Sequence, residues 1–244
     1  MLTLLLSRYI AAIMGTTFLV VQAFPSDRRS HTHVDEPHDD LGLEPHNLTN
    51  LSARGGAPTD AVSQLLAIAP SSDTCADAPI PSECTVTTAS LAQIIIASFG
   101  RHSVTTGLEQ AALLSWMAFE SAEWKYNRNH FPAPGRPGQG TRVMMMPNYV
   151  AEFASGFEEL TDEVTAAGGD LDRILDSVLG DEYSFAAAAW FYDTQCTQEV
   201  KEGVKTGGEQ GWEEFVTGCV ETTVTADRKG YWVRACEALN IVVV

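Results

Sequence analysis

The sequence predicts a mainly α-helical domain, with room for a small β element, carried behind a secretory signal peptide and a flexible acidic leader. Three observations predict it. From Ser90 onward, apolar residues recur at helical spacing in one block after another, and glycine or proline separates the blocks. Long alternating strand patterns are absent, leaving Thr222–Thr225 and the Ile241–Val244 tail as strand candidates.

Residues 1–23 read as a signal peptide. Arg8 precedes an apolar run from Tyr9 to Val21, and Val21-Gln22-Ala23 offers small residues at a cleavage site. The run is short for a membrane span, so no membrane association is expected of the mature chain. Residues 24–58 are rich in His, Asp, Pro, Ser and Gly and lack periodicity, which predicts a disordered acidic leader. It carries glycosylation sequons at Asn47 and Asn50. Its histidines His31, His33 and His38 have no rigid frame that would make them metal ligands.

The folded domain is expected over 59–244. A Pro-punctuated loop runs from Cys75 to Cys84, and a buried helix starts at Thr87 or Thr88 and ends at Gly100. A second helix through Leu108, Leu113, Trp116 and Phe119 is apolar on almost every side and belongs in the core. The Pro- and Gly-rich stretch from Asn127 to Gly140 has no regular structure, and so long a loop in a compact domain marks function or disorder. Helices resume after Pro147, then over Asp170–Leu179, Glu182–Thr194, Gly208–Val220 and Ala226–Leu239.

Of 244 residues, 32 are acidic and 15 are Lys or Arg, a net charge of −17 that excludes nucleic-acid partners. The five cysteines fit an oxidising compartment and secretion. Spacing favours Cys75–Cys84 and Cys196–Cys219 as disulfides, with Cys236 left over in an amphipathic helix. No Cys-X-X-Cys or paired-histidine spacing points to a metal, no phosphate loop follows a strand, and no cofactor is expected. A monomer is expected.

The chemistry centres on Glu120, the acid at the C-terminal end of the apolar helix. Burial beside Trp116 and Phe119, together with the negative end of the helix dipole, predicts a carboxyl that holds its proton and serves as a general acid. Immediately beyond it, Trp124, Tyr126, Asn127 and Asn129 supply the aromatic planes and amides of a sugar-binding site. A second carboxylate, which glycosidases normally need, is sought in Glu123 or Asp193.

Phe119-Glu120-Ser121, an irregular loop, and then Gly140-Thr141-Arg142-Val143-Met144-Met145-Met146-Pro147 opening a helix resemble the lysozyme superfamily. The pattern is closest to soluble lytic transglycosylases and goose-type lysozymes, and the whole chain is similar to secreted fungal lysozyme-like muramidases. The later Ala186–Tyr192 segment resembles their alanine and aromatic segment flanking the cleft. The resemblance implies a lysozyme-like helical domain that cleaves peptidoglycan, with Glu120 as general acid and a single dominant glutamate sufficing. It implies substrate contacts from Gln139, Tyr149, Trp190 and Tyr192. Where the family has a glutamine before its Met-Pro, this chain has Met144 or Met145, and Gln139 is the nearby amide. A chitin-type polysaccharide is the alternative substrate. A non-catalytic glycan-binding protein is the rival on the same fold, and a cysteine peptidase pairing Cys236 with His102 or His130 is a further one.

Overall fold

The computed structural model describes residues 58–242. The signal peptide, the leader histidines and the sequons at Asn47 and Asn50 lie outside the described residues. Within them the chain is mainly helical, as the hydrophobic spacing requires. Eleven α-helices run in order: α1 Pro58–Ile68, α2 Ala89–Arg101, α3 Gly107–Glu120, α4 Pro147–Ser155, α5 Thr161–Ala167, α6 Leu171–Asp176, α7 Asp181–Ser184, α8 Ala187–Gln195, α9 Gln198–Thr206, α10 Gly208–Gly218 and α11 Ala226–Ala238.

Helix α3 is the axis of the domain. Its start is fixed by a capping box, in which Thr106 accepts from the Glu109 backbone and Glu109 reaches back to the Thr106 N–H. Burial on nearly every side follows from its composition, and α11, α9, α8 and α1 pack around it. Trp116 meets Phe191 of α8 and Phe215 of α10 edge-on, at ring separations of 5.4 and 5.6 Å. Trp212 and Trp232 stack at 5.1 Å and join α10 to α11.

Helices α9 and α10 cross at a glycine contact. A Cβ on Gly211 would stand 2.0 Å from the Gly203 carbonyl oxygen, so no other residue permits this approach. Both predicted disulfides form, Cys75–Cys84 and Cys196–Cys219, and Cys236 is free and buried. Among the described residues, no helix is long and apolar enough to cross a membrane.

Several boundaries differ from expectation. Helix α2 is capped by Thr88 as predicted but runs one residue past Gly100, because the His102 N–H still reaches the Ser98 carbonyl. The predicted Glu182–Thr194 helix is two, α7 and α8, broken at Phe185–Ala186. Neither predicted strand forms among the described residues: Thr222–Thr225 is irregular and ends as the N-cap of α11, and Ile241 and Val242 are unpaired. The β content lies elsewhere, in isolated bridges from Gly140 to Arg128 and to Met145.

Candidate functional site

Helix α3 ends at Glu120 with Ser121 as C-cap, and the chain then makes an uncommon turn. Ala122, Glu123 and Trp124 take positive φ values of 49°, 58° and 68° in succession, a region that costs L-residues roughly 1–2 kcal/mol each. The turn is held from several sides. Ser121 Oγ donates to the Met117 carbonyl and accepts from the Trp124 N–H, while the Trp124 indole donates to Thr87 at 3.1 Å. Lys125, almost fully buried, donates to the carbonyls of Ser71 and Thr74.

The loop beyond is gathered by Arg142. Its Nη1 donates to the carbonyls of Glu83, Trp124 and Tyr126 at 2.9–3.0 Å, and its Nη2 donates to Thr85 Oγ1 at 2.6 Å. The guanidinium lies over the Phe185 ring and within 3.4 Å of Asp181. Burial pulls it down to about 10, against the opposing pull of Asp181 and Glu83. Gly140 allows the return strand to close in, since a Cβ there would fall 2.6 Å from the Asn127 carbonyl oxygen.

This scaffold leaves a cleft of about 400 Å³ between the end of α3, the Gln139–Met146 segment, α8 and the Cys219–Arg228 segment. Its wall mixes apolar side chains, from Trp116, Val143, Met145, Tyr149, Phe191 and Val220, with the polar groups of Glu120, Gln139, Glu221, Thr222 and Arg228. At its floor Arg228 Nη1 donates to Glu120 Oε1 at 2.6 Å, and Nη2 faces Thr222 Oγ1 at 3.4 Å. The Arg228 guanidinium also sits 4.2 Å over the Phe119 ring. Trp116 is more than nine-tenths buried, and its indole N–H has no partner among the described residues.

Of the residues singled out in the sequence, Glu120, Gln139 and Tyr149 line this cleft. Gln139 is held there by a bond from its amide to the Met144 carbonyl. The others serve the scaffold. Glu123, the first candidate second carboxylate, accepts from the Ser71 N–H, Tyr231 and Arg234, because the left-handed turn rotates it off the Glu120 face. Asp193, the other, lies at an exposed end of α8 against His102 and Lys201.

The proposed sugar contacts meet the same fate. Trp124 is a core ring edge-on to Phe185, and Tyr192 is buried with its hydroxyl on Glu109. Trp190 packs on Phe153, and Tyr126 on His130 and Phe131. Asn127 is buried, with its backbone carbonyl accepting from the Thr141 N–H and its side-chain oxygen without a partner among the described residues, and Asn129 accepts from the Arg136 N–H. His130 is engaged by Glu83, and no bond joins Cys236 to either His102 or His130.

Sequence reasoning missed Arg228, Thr222 and Glu221, which reach the cleft from a segment about a hundred residues beyond Glu120. One signal was available. Arg228 sits in the first turn of α11, where the helix dipole disfavours a cation, so another charge had to hold it there. Among the described residues, no group of three or more His, Cys, Asp or Glu side chains is placed to hold a metal ion.

No family model matches the chain, and no solved structure matches it. A curated relative does: a bifunctional dioxygenase (DOX)-epoxy alcohol synthase (EAS) from Fusarium oxysporum (strain Fo5176), 37% identical over 161 residues. The match takes in 63% of this chain and only 12% of the relative, which is an enzyme of much greater length.

This finding overturns the glycoside hydrolase expected above, and with it the muramidase and cell-wall terms. The relative carries oxygenase and synthase activities and no polysaccharide hydrolase among its named functions. The geometry removes the physical premise as well. Glu120 is not a lone acid in an apolar pocket but the partner of Arg228, and neither expected second carboxylate faces it.

Proposed function

We propose that the Glu120–Arg228 cleft is the active site of an enzyme acting on an amphipathic compound with hydroxyl or epoxide oxygens. The observation that carries this reading is the ion pair itself, set in a cleft whose walls combine apolar and polar side chains. Apolar walls take the hydrocarbon part of such a ligand by area burial. Glu120 accepts from its hydroxyl and exchanges a proton with it, while Arg228 holds the carboxylate in place. The epoxy alcohol in the relative's name is a compound of this class.

Backbone strain supports the same location. Met144 and Glu221 on the cleft wall have φ of 51° and 58°, and Thr141 and the Ala122–Trp124 turn flank it. The two disulfides support a setting in an oxidising compartment, in keeping with a secreted chain.

The test uses 1,2-octanediol and 2,3-epoxyoctan-1-ol with protein labelled at its methionine methyls. Both ligands are expected to shift the Met144, Met145 and Met146 signals. Addition of water across the epoxide is expected for the native protein: the C–O bond opens, water supplies the new hydroxyl, and its proton ends on the former epoxide oxygen. Glu120→Gln should retain binding and lose that turnover. Absence of methyl shifts with both ligands sinks the reading.

A further inference from the structure

We infer that this cleft selects its ligand by charge, with Glu221 receiving a cationic amine beside the hydroxyl held at Glu120. The inference rests on the reading of the cleft just given and names the ligand class more closely. Among the lining residues three carry charge: Glu120, Glu221 and Arg228. Arg228 is committed, with Nη1 on Glu120 and Nη2 toward Thr222. Glu221 is exposed and has no partner among the described residues. The wall therefore carries one uncompensated negative charge, and it does so on a chain that is itself strongly acidic.

The position of Glu221 is imposed by its neighbours. Cys219 is tied to Cys196, the Val220 N–H donates to the Phe215 carbonyl, and the Thr222 N–H donates to the Val216 carbonyl. Between these anchors Glu221 is held at φ 58°, where glycine or asparagine is the ordinary choice. No hydrogen bond or ion pair with a described residue engages its carboxylate, and the residue lines the cleft. Trp116, Tyr149 and Phe191 also line this space, the first two packed edge-on against Phe191. A carboxylate ligand meets the reverse: an unpaired glutamate and no free guanidinium.

Three probes of one chain length separate the charge from the rest: 2-amino-1-octanol, 1,2-octanediol and 2-hydroxyoctanoate, titrated at pH 7 against the methionine methyl signals. The amino alcohol is expected to bind about five-fold tighter than the diol, and the hydroxy acid about five-fold weaker, as for a single charge met near solvent. Glu221→Gln should bring all three within about two-fold, and half-molar salt should do most of the same. Glu199→Gln, which removes one charge on α9 away from the cleft, should leave the order intact. Equal binding of the three probes, or an order that survives Glu221→Gln, overturns the inference. So does an order that Glu199→Gln abolishes equally. If the diol and the other two probes all fail to bind, it is the reading of the cleft that falls.

Discussion

Arg142 and Arg228 are both arginines beside the Glu120 turn, and the molecule uses them in opposite ways. Arg142 is 1% exposed and spends Nη1 on three backbone carbonyls and Nη2 on Thr85 and Asp181, so that it welds the 83–85, 124–126 and 140–142 segments together. Arg228 faces a cleft and spends its donors on two side chains, one of them the carboxylate that meets a ligand. A guanidinium that satisfies carbonyls is a fastening, because carbonyls have no other partner once buried. One that holds a carboxylate at a cavity floor leaves that carboxylate a free oxygen for something else.

The largest expected effect breaks the first half of this contrast. Arg142→Met strands the Glu83 and Tyr126 carbonyls around an apolar side chain, leaves the Trp124 carbonyl and the Thr85 hydroxyl one partner each, and should lose about 3–5 kcal/mol in urea unfolding. Arg228→Met, by comparison, breaks a mostly buried pair at the cleft and should lose about 1–2 kcal/mol, less than Arg142→Met. Similar losses for the two variants would mean that the carbonyl web is not what holds the loop.

The two glutamates three positions apart sharpen the same contrast. Glu123 accepts from the Ser71 N–H at 2.6 Å and from the Tyr231 hydroxyl at 3.0 Å. In Glu123→Gln one of those donors must face an amide NH2, and a loss of about 1–3 kcal/mol is expected by thermal or urea unfolding. Glu120→Gln should leave stability nearly unchanged while altering the methionine methyl signals. A stability loss confined to Glu120→Gln would reverse the assignment of scaffold and site.

This pair also shows how far the sequence could be read. The helices that line the core were legible because their apolar spacing is a local signal, and so were the Thr88 and Asp170 caps and both disulfides. Helices α5 and α9 were not, since they are short or polar and owe their form to packing, and α1 was missed although Ala61, Leu65 and Ile68 recur at helical spacing. Glu120 and the Gln139–Tyr149 wall could be found because they surround one helix end. Arg228 could not be joined to them, because nothing local relates Ala226–Ala238 to the end of α3. The Ala122–Trp124 turn misled for a related reason. Continuing α3 by one more turn would have put Glu123 on the Glu120 face, and three left-handed residues instead carry it into the scaffold.

Cys236 supplies a third kind of buried group, with neither the fastening role of Arg142 nor the cleft of Arg228. It is a free thiol, 3% exposed, on α11, and burial followed by the nearby Glu237 pushes it up to about 12 from an ordinary 9.0. The unfolded chain therefore releases the thiol proton near pH 9 while the folded chain keeps it. The stability this contributes is whole below pH 9 and declines as pH rises toward 12, at about 1.4 kcal/mol per pH unit. Between pH 8 and pH 10 the native protein should lose about 1 kcal/mol more than Cys236→Ala, with thiols kept reduced during urea unfolding. Tyrosines begin to ionise at the top of this window in the unfolded chain, but both proteins carry the same ones, so their contribution cancels in the comparison. Parallel curves for the two proteins would mean that the thiol ionises in the fold as it does in water. Divergence confined to this window would show instead that burial in this helical core perturbs a group without making it a site. Glu120 differs in having both a partner to hold it and a cleft to face.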